Sequence, residues 1–204
     1  MGSTHATGPA SPETGPFSWS SFLVRVAIQG EAGSFSDAAA RRMLPESELV
    51  CCDTFEHAAA RVAAGDAAYA VLPVENALAG EVLDVSALMA RHGLHAVAEL
   101  VVPIRQSLIA ADGTALDAVR EVRSHPVALA QCRRFFEERP RIRAVETADT
   151  AGAVREVCSV GGGDLAAIGP AAAAELHGGR VLVEDVSDRT DNRTRFVLIE
   201  PRRS

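Results

Sequence analysis

The chain has 204 residues, 48% hydrophobic, 23% charged and 4% aromatic, with 16 Gly and 10 Pro. That length allows one sizeable domain or two small lobes, with a core that needs no disulfide or metal to hold it. A formal net charge of −7 and a pI near 5.4 argue against a nucleic-acid or anionic-membrane partner, since both require a basic face. An anionic small molecule is compatible with this charge where a few donors are focused in one cleft.

Cys51, Cys52, Cys132 and Cys158 form no CxxC pair and no Cys/His spacing suited to zinc, which excludes a metal centre and a redox motif. They read as ordinary thiols in a reducing compartment. Residues 1–21, rich in Ser, Thr, Gly and Pro, contain neither a basic n-region nor an apolar run, so they read as a disordered leader of a cytoplasmic protein. No later segment has the uninterrupted apolar length of a membrane span.

Order begins with a strand at 22–28, followed by Gln29-Gly30-Glu-Ala-Gly33-Ser34-Phe35-Ser36 and a helix over 37–43. The turn fits an anion site at a helix start, or a plain βα turn with Ser34 or Ser36 as N-cap. Asp53-Thr-Phe-Glu56 opens a second helix, with Phe55, Ala59 and Val62 on one face and Gly65 as its stop. A strand through 69–72 then halts at Pro73, before a loop that carries Glu75, Asn76, Ala77 and Gly80. Leu83, Leu88 and Met89 sit on the next helix, which Gly93 ends, and 94–104 is extended.

The scheme then repeats. Residues 106–110 form a strand, Thr114 caps a helix bearing Leu116 and Val119, and 121–124 form a short strand. Pro126 suits the first position of a helix, with Ser124 or His125 as cap and Gln131 two turns on. Residues 141–146 are extended, 147–157 helical and 165–168 a strand; Pro170 starts an Ala-rich helix closed by Gly178-Gly179, and 180–183 form a strand. Last comes a polar loop, Asp188-Arg-Thr-Asp-Asn192-Arg-Thr194-Arg195-Phe196, feeding the apolar Val197-Leu-Ile. Alternation this regular predicts an α/β fold with mainly parallel sheets and ligands at the strand carboxyl ends.

The polar junctions at Gly33–Ser36, Glu75–Gly80, Ser124–Gln131 and Asn192–Phe196, together with VAIQGEAGSFSDAAA, YAVLPVENALAGEV, VVPIRQSL, SHPVALAQC, DTAGA and DRTDNRTRFVLIE, resemble the prephenate dehydratase family and the similar plant-type arogenate dehydratases. The resemblance spans roughly Val24 to Glu200. It implies two α/β lobes of periplasmic-binding-protein-like (type II) topology with the active-site cleft between them. Lobe 1 takes about 22–103 plus 188–201, and lobe 2 about 104–187. The implied reaction is the decarboxylative dehydration of prephenate to phenylpyruvate, or of arogenate to phenylalanine. No cofactor is expected, because the aromatising ring carries its own driving force. A homodimer or higher homo-oligomer is expected, and the end at Ser204 leaves no room for a regulatory domain of the ACT type.

By the same resemblance Thr194 is the catalytic residue, assisting departure of the ring hydroxyl. Asn76, Ser124, Gln131, Arg195, Ser34, Ser36 and Phe196 are candidates for holding substrate, with Arg195 open between pinning a carboxylate and bracing the loop. His125 is a rival acid or a helix cap, and Glu75 a holder of loop amides. Ala77, Glu81, Gln106 and Val127 depart from the family pattern, which commonly has Ser, Ser, His and Gln there. Two other readings stay open: a sibling that decarboxylates prephenate but keeps its hydroxyl, and a non-catalytic cytoplasmic ligand-binding protein.

Overall fold

The computed structural model describes residues 23–82 and 84–202. The leader read over 1–21 and the core position read at Leu83 lie outside them.

Strand β1 (Arg25–Gln29) leads into α1 (Phe35–Met43), β2 (Glu48–Cys52), α2 (Phe55–Ala63), β3 (Tyr69–Asn76), the two-residue β4 (Gly80–Glu81), α3 (Val85–His92) and β5 (Leu94–Pro103). These strands form one sheet. A second is built from β6 (Ser107–Ala111), β7 (Glu121–Ser124), β8 (Arg143–Glu146), β9 (Leu165–Gly169) and β10 (Gly179–Val183), with α4 (Pro126–Ala130), α5 (Arg133–Glu137), α6 (Thr150–Val160) and α7 (Ala171–His177) around it. The chain then returns to the first sheet as β11 (Arg193–Pro201), which lies between β3 and β5. The orders are β2-β1-β3-β11-β5, with β4 beside β3, and β10-β6-β9-β7-β8. Both sheets are mixed: β2-β1-β3 and β9-β7-β8 run parallel, and the remaining pairs antiparallel.

Each sheet is covered on both faces, which makes two three-layer lobes. Val26, Ile28, Val71, Phe196 and Leu198 pack under α1, while Ala27, Ala70, Leu72, Val197 and Ile199 pack under α2 and α3. In the second lobe Leu108, Val122 and Ile168 meet Ala128, Cys132 and Phe135 of the α4–α5 side, while Ile109 and Ala167 meet α6 and α7. Burial pushes the Cys132 thiol up to about 12, and the nearby Asp188 and Asp185 carboxylates add to the effect. Such a thiol stays protonated and inert at neutral pH.

Helix starts are set by side-chain caps that accept the amide three residues on. Ser34 accepts from Asp37, Thr54 from His57, Asp84 from Ala87 and Asp149 from Gly152. Several details differ from expectation, among them α6, which starts at Thr150 and not at 147. Strand β3 does not halt at Pro73 but continues to Asn76, because β1 pairs only as far as Val71 and a bulge opposite Arg195/Phe196 absorbs the missing N–H. Thr114 caps nothing: the next element is a single 3₁₀ turn, Leu116–Ala118, with Ala115 before it. Edge strand β2 and the one-turn α5 are too short and too weakly patterned to read from periodicity.

The lobes are joined by two adjacent connectors. Ile104 N–H donates to Asn192 O at 2.9 Å and Val186 N–H to Gln106 O at 2.7 Å, which ties the outgoing and returning chain together. A second contact between the lobes is made by the β1–α1 turn. Arg155 of α6 holds Glu31 through two bonds of 2.6 and 3.0 Å, and its guanidinium keeps the Glu31 carboxyl below the usual range. Beside them Gly33, at φ +83°, lies so close to α7 that an added Cβ would sit 2.9 Å from Ala173 Cα. Gly33→Ala is therefore expected to lower the unfolding free energy by about 1–3 kcal/mol through left-handed strain and overpacking. Urea unfolding of the variant checks this, and parental stability would mean that α7 yields freely here.

Candidate active site

Four helix starts open onto one cleft of about 660 Å³ between the lobes: α1 through Phe35 and Ser36, α2 through Asp53, Thr54 and Phe55, α4 through His125, Val127 and Ala128, and α6 through Asp149 and Thr150. Thr194, Asn76 and Phe196 line it from the central strands, and Gln106 and Gln131 from the second lobe's side. This is where the parallel strands β1, β2, β7 and β8 end. Their following helices therefore point free amides and the positive ends of their dipoles inward.

A chain of amides crosses the floor between the lobes. Gln131 Oε1 accepts from Asn192 Nδ2 at 3.1 Å, Asn192 Oδ1 accepts from Asn76 Nδ2 at 2.9 Å, and Asn76 Nδ2 also donates to Thr194 Oγ1 at 2.9 Å. The orientation of Asn76 is fixed from its other end, where Oδ1 accepts the N–H groups of Leu78 and Ala79 at 3.0 and 2.9 Å. Thr194 is 6% exposed and Asn76 8%. Because the Thr194 oxygen accepts, its own proton remains to be donated, and no acceptor for it lies within reach among the described residues. Asp188 closes the loop from outside, taking the N–H groups of Arg133 and Arg134 at 3.0 Å each while its own amide donates to Gln131 O at 2.7 Å.

Of the residues named from sequence, the fold brings Thr194, Asn76, Gln131, Ser36, Phe196 and His125 to the cleft and leaves four out of its lining. Arg195 lies between Thr194 and Phe196 on β11, and alternate residues of a strand face opposite ways. Its guanidinium pairs instead with Glu99 at 3.2 Å and Glu75 at 3.5 Å. Glu75 is thereby an exposed ion-pair partner, and the loop amides assigned to it are held by Asn76. Ser124 is fully buried and donates to Ile168 O at 2.6 Å, so its hydroxyl belongs to the lobe core. Ser34 is committed as the cap of α1. His125, not Ser124, caps α4: its Nδ1 accepts from Val127 N–H at 3.2 Å, which leaves the ring proton on Nε2 in this arrangement.

The cleft's charged lining is acidic. Asp53, Glu81 and Asp149 stand in the lining, the Asp149 carboxylate accepting Gly152 N–H at 2.7 Å as the cap of α6, and no Arg stands among the described lining residues. The expected cationic donor at Arg195 is thus replaced by neutral amides, hydroxyls and helix starts. Asn192, 3% exposed, links the two lobes' amides, a role that sequence reasoning did not assign. No group of three or more His, Cys, Asp or Glu side chains suited to a metal is present among the described residues, and no described helix is long and apolar enough to cross a membrane.

The sequence profile of the prephenate dehydratase family matches residues 26–204. Arogenate dehydratase/prephenate dehydratase 2, chloroplastic, of Arabidopsis thaliana is 38% identical over 177 residues, covering 86% of this chain and 46% of the relative. A bifunctional N-acyl-homoserine lactone acylase/prephenate dehydratase of Komagataeibacter europaeus is also 38% identical over 177 residues, covering 87% of this chain and 63% of the relative. Among solved structures, the prephenate dehydratase of Arthrobacter aurescens in complex with L-Phe superposes with a TM-score of 0.78 at 31% identity, covering 89% of this chain and 63% of that one. The chain spans about half the length of the plant relatives it matches. With a match running through both lobes and across every strand that lines the cleft, the chain belongs to the prephenate dehydratase family.

Proposed function

We propose that the cleft catalyses the decarboxylative dehydration of prephenate or arogenate, with Thr194 assisting the departing ring hydroxyl. The observation that supports this reading is the hydroxyl of Thr194 at the cleft floor, whose oxygen accepts from Asn76 Nδ2 at 2.9 Å and whose proton is left to be donated. In the reaction the carboxylate leaves as carbon dioxide, its bonding pair enters the ring, the ring C–O bond breaks, and the departing oxygen takes up a proton as water. Negative charge gathers on that oxygen in the transition state. A donor placed there strengthens its bond as the reaction proceeds, which is the condition for accelerating it. Threonine is too weak an acid to release its proton outright, so it acts by a positioned hydrogen bond or relays a proton that solvent restores.

Substrate carboxylates are received by the inward-facing helix starts and the amides of Asn76 and Gln131, since no guanidinium lines the cleft among the described residues. The apolar walls at Phe35, Phe55, Pro73 and Phe196 suit a ring that becomes flat and aromatic. Cys51, Cys52, Cys132 and Cys158 are free thiols, which supports a reducing, cytoplasmic setting.

The deciding experiment is to incubate the purified protein with prephenate and, separately, with arogenate and to identify products by mass spectrometry. Phenylpyruvate or phenylalanine is expected to form faster than the spontaneous reaction supplies it. A decarboxylated product retaining its hydroxyl would shift the assignment to the decarboxylase sibling. Unchanged substrate would leave the two-lobed ligand binder.

A further inference from the structure

Gln106 is the buried amide in the cleft wall that the protein leaves unsatisfied. It lies on the outgoing connector between the lobes and is 3% exposed. Its backbone is fully engaged, with N–H donating to Ser187 Oγ at 3.2 Å and the carbonyl accepting from Val186 N–H at 2.7 Å. The side chain is not: Oε1 is enclosed with no donor in reach. The neighbouring amides of Asn76, Asn192 and Gln131 bond to one another, and Gln106 stays out of that chain. An enclosed carbonyl oxygen without a donor is costly, which favours any conformer in which that oxygen meets a ligand N–H in the cleft that Gln106 lines. The last torsion of glutamine is soft and roughly two-fold, so a half-turn exchanges the enclosed oxygen with the amide nitrogen.

The charges around it point the same way. Asp53, Glu81 and Asp149 line the cleft, and among the described residues no Arg does. The two ring acids named among the relatives differ at one position of the side chain. The keto acid carries two carboxylates and no cation, whereas the aminated acid carries the same carboxylates with an ammonium beside one of them. An acidic cleft repels the doubly negative molecule more strongly and attracts the ammonium.

We infer that Gln106 reads the substrate's amino group, its carbonyl oxygen accepting from the ammonium, and that the cleft selects arogenate over prephenate. This rests on the reading under Proposed function that the cleft takes these ring acids.

The test compares kcat and KM for arogenate and prephenate in the parent, in Gln106→Leu and in Gln106→Glu, with circular dichroism to confirm folding. The parent is expected to favour arogenate at least about tenfold in kcat/KM, the worth of one charge-assisted hydrogen bond. Gln106→Leu should erase most of that ratio by raising KM for arogenate, with kcat much less affected. Gln106→Glu keeps an acceptor and should hold or widen the ratio. A loss shared equally by both substrates, an arogenate KM that rises as much in Gln106→Glu as in Gln106→Leu, or a parent indifferent to the two would overturn the inference. Calorimetry with the products gives a readout independent of turnover: phenylalanine should bind more tightly than phenylpyruvate, and Gln106→Leu should remove the difference. Turnover without discrimination sinks this inference and spares the dehydratase reading. Discrimination between the products without turnover does the reverse, and absence of both sinks both.

Discussion

Thr194→Val should lower kcat by at least about 100-fold, the usual loss on removing a positioned proton donor, while urea unfolding stays within about 1 kcal/mol of the parent. Valine matches the shape of threonine and suits a strand, so β11 keeps its place between β3 and β5. The lost group is the hydroxyl, whose oxygen accepts the Asn76 amide at 2.9 Å. Asn76 Nδ2 retains Asn192 Oδ1 at 2.9 Å as an acceptor, so the vacancy does not unravel the floor. Thr194→Ser keeps the hydroxyl and should recover most of the rate, losing only what the methyl group does to fix the rotamer. Steady-state kinetics on all three proteins check this. A valine variant that turns over normally would remove Thr194 from the chemistry and direct attention to His125.

Asn76→Asp is expected to be nearly as damaging to kcat, by about 10²-fold, although it changes one atom's identity and almost no volume. The parent amide donates to Thr194, so the threonine oxygen is an acceptor there and its proton is left for another partner. A carboxylate there cannot donate, so the threonine proton would turn back to the carboxylate and be lost to the reactant. The same exchange puts a negative charge on a residue that is 8% exposed, facing Asn192 Oδ1 where there had been a bond. Stability should therefore fall by about 1–3 kcal/mol, the cost of leaving a buried polar group unpaired. Two readouts separate the causes. Stability should recover as acid protonates the new carboxyl, whereas kcat should fall far more than the folded fraction accounts for. Parental kcat in Asn76→Asp would show that the direction of the Thr194 hydroxyl is not set by this contact.

The alternation of strand and helix was readable because local chemistry marks it: a hydroxyl cap at Ser34, a polar helix start at Asp53–Glu56, and turns at Gly65, Gly93 and Gly178, whereas the caps at Thr54 and Asp149 came from the structure. The meeting of Asn76, Gln131 and Thr194 at one cleft was legible from motifs at strand ends. For Arg195 the sequence left substrate holding and loop bracing open, although strand alternation already separated it from Thr194 and Phe196, and its guanidinium pairs with Glu75 and Glu99. Ser124 failed for a related reason: as the last residue of β7 it shares the inward face of Val122. Asn192 as the link between Asn76 and Gln131 had no local signature, because the contacts join residues 116 and 61 positions apart in the chain. The loneliness of the Gln106 amide is likewise invisible in one dimension, since it is defined by what fails to approach.

Strand β11 fills the gap between β3 and β5 and also carries Thr194. During synthesis the first lobe therefore waits, its sheet divided, until the second lobe has emerged from the ribosome and β11 can take its place between β3 and β5. The hydroxyl arrives with that closing stitch. A half-made chain holds neither a finished first lobe nor a working cleft, and the onset of turnover on a translating ribosome would report the moment at which the sheet becomes whole.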